Sequence, residues 1–233
     1  GTHSITYSYT DANGCSNSYS KDIVVNALPS VSLADFDPVC LDAEPFALSG
    51  GAPEGGIYSG TGVTGGTFDP AAAGAGTHSI TYSYTDANGC SNSASKDMVV
   101  NALPVVSLAD FDPVCLDAEP FTLTGGNPEG GIYSGTGVTG GTFDPAAAGA
   151  GTHSITYSYT DANGCSNSYS KDIVVNALPS VSLADFDPVC LDAEPFALSG
   201  GAPEGGIYSG TGVTGGTFDP AAAGAGTHSI TYS

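Results

Sequence analysis

The chain repeats itself. Gly1-Thr2-His3-Ser4-Ile5-Thr6-Tyr7 returns at Gly76, Gly151 and Gly226, a period of 75 residues within a length of 233. A period this long holds enough apolar residues for a small core of its own, so it reads as tandem domains. The units that begin at Gly1 and Gly151 are identical, and the one between them differs at six positions: Tyr19 becomes Ala94, Ile23 Met98, Ser30 Val105, Ala47 Thr122, Ser49 Thr124 and Ala52 Asn127. Each unit carries eight acids and one lysine, so the net charge of −21 is a property of the module.

Within a unit the apolar residues have a period of two. In Thr77-His78-Ser79-Ile80-Thr81-Tyr82-Ser83-Tyr84-Thr85 the large side chains alternate with Ser and Thr, the pattern of a half-buried strand. Asp86-Ala87-Asn88-Gly89 follows, and Asn-Gly favours the positive φ angles of a tight turn, so Ser91 to Val100 is predicted to fold back as the second arm of a hairpin. Asn101-Ala102-Leu103-Pro104 breaks the pattern, because Pro104 lacks the N–H that a continuing ladder needs.

Further short strands are predicted around Val106 and Leu108, over Pro120 to Leu123, over Gly131 to Ser134 and over Thr142 to Asp144, joined by turn chemistry such as Gly125-Gly126-Asn127-Pro128-Glu129-Gly130. Ala146-Ala147-Ala148 has room for one helical turn before Gly149. About seven short strands in ~75 residues predict an all-β chain of tandem immunoglobulin-like β-sandwich domains in a linear array. With the joint at Asn101, the expected frame is a final hairpin in residues 1–25, whole domains at 26–100 and 101–175, and the opening part of another at 176–233. Residues 1–25 and 176–233 each lack what the other supplies, so the chain is expected to be a window on a longer polypeptide or to be completed by a neighbouring copy.

Composition excludes several functions. Three lysines among 24 acids cannot form the basic face that nucleic acid requires, and anionic lipid is repelled for the same reason. No apolar run approaches the ~18 to 20 residues of a membrane-spanning helix. Gly1 opens on a polar stretch, so no signal peptide is expected here and an export address would lie outside these residues.

The run Gly55-Gly56-Ile57-Tyr58-Ser59-Gly60-Thr61-Gly62-Val63, followed by Phe68-Asp69-Pro70, Ala75-Gly76-Thr77, Ile80-Thr81-Tyr82 and Asn88-Gly89-Cys90, resembles the immunoglobulin-like repeats of very large secreted Bacteroidetes surface proteins, gliding-motility adhesins among them. The resemblance implies an extracellular, cell-surface, non-enzymatic repeat exported by the type IX system. That family often carries Trp on the third strand, where this chain has Tyr58, Tyr133 and Tyr208, which implies a smaller core anchor.

Chemical motifs are few. Gly60-Thr61-Gly62-Val63-Thr64-Gly65 matches the dinucleotide fingerprint, but Gly66-Thr67-Phe68-Asp69-Pro70 follows where a helix N-terminus would have to begin, so a Gly-rich strand connection is expected. His3, His78, His153 and His228 stand one per unit without a second ligand at metal spacing. No G-x-S-x-G elbow is present, and no enzymatic activity is expected. Asp35, Asp37, Asp42 and Glu44 fall within ten residues and are candidate calcium ligands, with solvated surface acids as the plain alternative. Lys21, Lys96 and Lys171, one per unit in a strand, could form an isopeptide bond to Asn or simply cover a sheet edge.

Cys15, Cys40, Cys90, Cys115, Cys165 and Cys190 alternate in spacing between 25 and 50 residues, which reads as a disulfide framework in an oxidising compartment. The resemblance implies pairing within a domain, Cys40 with Cys90 and Cys115 with Cys165, leaving Cys15 and Cys190 without such partners. Sandwich topology points elsewhere: the first turn and the last hairpin lie at opposite ends, ~25 to 30 Å apart, whereas a disulfide needs Cα atoms within ~7 Å. Stacked domains would instead bring Cys40 towards Cys165.

The expected function is a structural and adhesive stalk, partnered by neighbouring repeats of the same protein. The alternatives are a module gripping glycans or a substratum through Tyr19 and Tyr169, and a calcium-stiffened scaffold. The six differences between units should fall at the periphery, except Ile23/Met98, which conserves volume and suits a core.

Overall fold

The computed structural model describes residues 1–233. It is nearly all β, with 45% of residues in strands and 5% in helix. Packing divides it into two compact units, one of Gly1–Asp110, Leu123–Gly135 and Ser154–Lys171, the other of Phe111–Thr122, Thr136–His153 and Asp172–Ser233.

In the first unit, β1 (Thr2–Thr10) and β2 (Ser16–Val24) pair as an antiparallel hairpin with every residue exposed. Then come β3 (Ser32–Leu33), β4 (Val39–Cys40), β5 (Phe46–Ala47), β6 (Gly51–Ala52), β7 (Ile57–Ser59), β8 (Val63–Thr64), β9 (Thr67–Phe68), the one-turn helix α1 (Pro70–Ala73), β10 (Gly76–Thr85) and β11 (Ser91–Asn101). One sheet has the order β4-β11-β10-β7; facing it are β5-β9-β8 and the pair β3-β6. β4 runs parallel to β11, while β10 is antiparallel to both β11 and β7. A four-stranded sheet faced by these two smaller sheets makes an immunoglobulin-like sandwich.

The core lies between the sheets. Leu48 and Phe68 from one side meet Ile80, Met98 and Val100 from the other, and Phe36, Val39, Phe46 and Tyr58 close the margins. Alternation in β10 and β11 selects these residues, since neighbours in sequence point to opposite faces. On the outer face Thr81 and Ser95, directly opposed in register, share a hydroxyl hydrogen bond of 2.8 Å.

The Gly-rich stretch is a strand connection. Gly65 and Gly66, with φ of 57° and 82°, form the turn between β8 and β9, where two successive positive φ angles match the twist of a hairpin. The helix starts only at Pro70, capped by Asp69, whose carboxylate accepts from the Ala72 amide at 3.1 Å.

The second unit repeats these pairings. Phe121–Thr122 pairs with Thr142–Phe143, and Phe196–Ala197 with Thr217–Phe218, in the register of β5 with β9. Val114–Cys115 runs parallel to Val175–Asn176 as β4 does to β11. Phe143, Ile173, Val175, Leu198 and Phe218 are buried there.

The differences between repeats mostly follow the expected pattern. Val105, Thr122, Thr124 and Asn127 are exposed, Ala94 is half-buried, and Met98 occupies a core site that Ile173 fills in the next copy. The hairpin turn departs from expectation. Asn88 keeps a negative φ and Gly89 alone takes a positive one, of 81°, so the strands are joined by the longer loop Asp86 to Cys90.

Candidate functional site

The chemistry that the fold assembles is sulfur chemistry, built from a turn and a hairpin loop. Cys40 ends β4, where pairing with Asn101 fixes its backbone; the Leu41 amide donates to the Asn101 carbonyl at 2.9 Å and the Ala43 amide to that of Cys40 at 3.1 Å. The hairpin cysteine is held by an aspartate. Asp161 Oδ1 accepts from the amides of Asn163 and Cys165, both at 2.9 Å, and the Asp161 amide donates to the Cys165 carbonyl at 2.9 Å. Loops Asp11 to Cys15 and Asp86 to Cys90 have the same bonds. In the first of these the Cys15 amide, with that of Asn13, holds the Asp11 carboxyl below its ordinary value, against a smaller opposing effect of desolvation.

Cys40 and Cys165 form a disulfide across 125 residues, their Cα atoms 5.6 Å apart. Cys15, Cys90, Cys115 and Cys190 are free thiols. The intradomain pairing implied by the family resemblance, Cys40 with Cys90 and Cys115 with Cys165, is therefore not the one this structure contains. The reason is strand length. Cys40 pairs with the last residue of β11 and Cys90 precedes its first, so eleven residues of extended chain, roughly 35 Å, separate them. Cys115 and Cys165 bracket Ser166–Asn176 in the same way.

The candidate calcium ligands do not converge. No group of three or more His, Cys, Asp or Glu side chains comes together at metal-holding distance. Asp35 is taken by Lys96, whose ammonium donates to it at 2.6 Å, and Asp37, Asp42 and Glu44 are exposed on the surrounding turns. The donor set of a hard cation, six to eight oxygens around one point, is not built by these residues.

Two of the three lysines, Lys96 and Lys171, have carboxylate partners. Lys171 binds Asp110 at 2.7 Å as Lys96 binds Asp35, and this hydrogen bond raises the Lys171 ammonium above its ordinary value. Both pairs are largely exposed and are worth little to stability. Each histidine outside the first hairpin turns its Nε2 to a nearby carbonyl, His78 to Gly74, His153 to Gly149 and His228 to Gly224, all at 2.8 Å. Tyr19 and Tyr169, the residues considered for ligand contact, are 70% and 46% exposed.

Sequence reasoning missed the β4–β11 pairing, which presents Cys40. A two-residue strand next to Pro38, paired in parallel with residues about sixty positions later, leaves no local periodicity to read.

No family model matches the chain, and no curated protein matches it. Among solved structures, a calcium-stabilised adhesin that helps an Antarctic bacterium reach out and bind ice is 13% identical at a TM-score of 0.35, with 92% of this chain and 60% of that one covered. The M60 catalytic domain with CBM51-1 and CBM51-2 domains of Clostridium perfringens ZmpB is 12% identical at a TM-score of 0.22, with 93% of this chain covered. The chain spans 60% of the length of the first and 29% of the second.

Proposed function

We propose that this chain is a stretch of a non-enzymatic structural and adhesive shaft, with tandem domains at residues 26–100 and 101–175 flanked by parts of two more at 1–25 and 176–233. In this reading the shaft belongs to an extracellular filament or a giant cell-surface adhesin of the Bacteroidetes gliding type. The domains are rigid links, the Ala-Leu-Pro joints limit bending, and disulfides limit extension. The observation that carries the reading is the Cys40–Cys165 bond, which ties one copy of the repeat to the next instead of closing a domain on itself. A covalent tie between successive copies serves load-bearing, and catalysis has no use for it. The acidic, Ser- and Thr-rich surface supports an extracellular setting, with neighbouring repeats as the principal partners.

Single-molecule pulling on the whole chain tests this. With the disulfide intact, the chain between the two cysteines, which stand 125 positions apart, is shielded from force, and reduction should release on the order of 400 Å of extra extension. Equal extension before and after reduction would remove the mechanical role. Saturable binding to glycans or a bare substratum, lost in Tyr169→Ala, would replace the shaft with a ligand-gripping module.

A further inference from the structure

The disulfide joins two positions that every repeat possesses. Each unit has a turn cysteine, Cys40, Cys115 or Cys190, and a hairpin cysteine, Cys15, Cys90 or Cys165. We propose that Cys40–Cys165 is one rung of a ladder in which each turn cysteine bonds the hairpin cysteine 125 positions further along the repeat. Cys115 and Cys190 then take hairpin cysteines, and Cys15 and Cys90 take turn cysteines, from further copies of the same 75-residue unit. The period places the partner of Cys115 where a following chain in register would put Cys15, and the partner of Cys190 where that chain would put Cys90. All four free thiols are accounted for by this single rule. The proposal does not depend on what the shaft adheres to.

Three observations carry it. Three of the four unbonded half-sites, those of Cys115, Cys15 and Cys90, are already in the bonded form, while the Cys190 turn keeps only the bond from the Ala193 amide to the Cys190 carbonyl at 3.1 Å. Val114–Cys115 is pinned in parallel to Val175–Asn176 as Val39–Cys40 is to Val100–Asn101, with the Leu116 amide on the Asn176 carbonyl at 2.9 Å. On the hairpin side, the Cys15 and Cys90 amides donate to Asp11 and Asp86 at 2.8 and 2.9 Å, as the Cys165 amide does to Asp161.

Burial is the second. Bonded Cys165 is fully buried, whereas Cys90 is half-buried and Cys15, Cys115 and Cys190 are exposed.

The third lies in the surfaces around the open thiols. In β1–β2, Ile5 and Tyr7 are 60% and 73% exposed, while the same residues of β10, Ile80 and Tyr82, are 0% and 2% exposed. Within Asp172–Ser233, Phe186, Val189, Leu191, Phe196 and Phe218 line an open trough. In residues 26–100 the β10–β11 hairpin supplies Ile80, Met98 and Val100 to the matching core beside Phe36, Val39, Leu41, Phe46 and Phe68. An occupant of that shape is a further copy of the repeat.

The bond forms by thiol exchange with a small-molecule disulfide such as oxidised glutathione. One cysteine thiolate attacks it, giving a mixed disulfide and one glutathione thiolate, and the second cysteine thiolate then attacks the protein sulfur and expels the other. Two protein thiols lose two electrons and two protons, and one glutathione disulfide becomes two thiols.

The repeat copy comes either from the same polypeptide or from a second chain, and two constructions separate these sources. The 233-residue chain and one lengthened by a 75-residue unit are each oxidised in glutathione buffer, run on non-reducing gels and mapped by mass spectrometry. Val105 and Thr122 mark the Cys115 peptide, and Ala94 marks that of Cys90.

In the lengthened chain Cys115 should join the added hairpin cysteine within a monomer, keeping the free-thiol count at four although two cysteines are added. Disulfide-linked multimers of the 233-residue chain, joined Cys115 to Cys15 and Cys190 to Cys90 and abolished in Cys115→Ser/Cys190→Ser, place the ladder between chains as well. Bond formation in the lengthened chain alone places it within one polypeptide. The ladder is overturned if Cys115 of the lengthened chain stays free or bonds Cys165 or another turn cysteine, or if the double variant still forms multimers through Cys15 and Cys90. A retained Cys40–Cys165 bond in every variant certifies the fold.

Discussion

Tyr82 donates its phenolic hydrogen to the Pro53 carbonyl at 2.5 Å, and the same oxygen accepts from the Gly56 amide at 2.7 Å. With the ring only 2% exposed, one hydroxyl satisfies two backbone groups of the loop before β7. Tyr82→Phe leaves both without that partner and is expected to cost about 1 to 3 kcal/mol, read as a lower urea midpoint at an unchanged slope.

The same ring dictates two glycines. A Cβ on Gly51 would lie 2.6 Å from the Tyr82 ring, and one on Gly126 would lie 2.6 Å from that of Tyr157. Both pack against a second tyrosine, Tyr58 or Tyr133, with ring centroids 4.7 Å apart and planes tilted by 48°, so neither ring can retreat without losing that contact. Gly126→Ala is expected to destabilise by about 1 to 3 kcal/mol through overpacking, measured by thermal unfolding of the whole chain.

Met98 tests the core itself. It is 1% exposed among Leu48, Phe68, Ile80 and Val100, and Ile173 fills the equivalent site. Met98→Ala should cost about 2 to 5 kcal/mol, while Met98→Ile should stay within ~1.5 kcal/mol of the parent because the volume is conserved. A loss from Met98→Ile as large as that from Met98→Ala would mean that the two copies pack differently.

The strands of β10 and β11 were legible because alternation over ten residues leaves one consistent face, and Ile80, Tyr82, Met98 and Val100 are the residues that face buries. The two-residue strands were less so, because Val39–Cys40 and Gly51–Ala52 are too short to show a period. Cysteine pairing depended on knowing the strand ends. Once Cys40 lies beside Asn101 and Cys90 beside Ser91, length alone forbids the bond between them. Asp35 to Glu44 are close in sequence but do not come together in space, and Lys96, arriving from β11, takes Asp35.

Calcium is therefore expected to leave stability unchanged. Asp35, Asp37, Asp42 and Glu44 do not surround a common point, and Lys96 already neutralises one of them. Melting temperatures in millimolar calcium and in chelator should coincide. A substantial rise with calcium, lost in Asp37→Asn, would require a site formed by rearrangement of this turn.

The Asp11 carboxyl is held below its ordinary value, first by the Cys15 amide and also by that of Asn13, so the ionised form is the one that the loop favours. A carboxyl lowered by folding stabilises the folded loop at any pH above its unfolded value. That contribution fades as the pH falls through the lowered value, when protonation weakens both hydrogen bonds. The Cys15 amide should thus keep its chemical shift from neutral pH down through the ordinary carboxylate range and move only below it, with the Asp11 carboxyl carbon titrating in step. In Asp11→Asn the side-chain oxygen still accepts but no longer titrates, so the acid transition of the Cys15 amide should vanish while the loop persists. A Cys15 amide that shifts at the ordinary aspartate pKa, or that shifts equally in Asp11→Asn, would show that this carboxylate does not hold the hairpin loop.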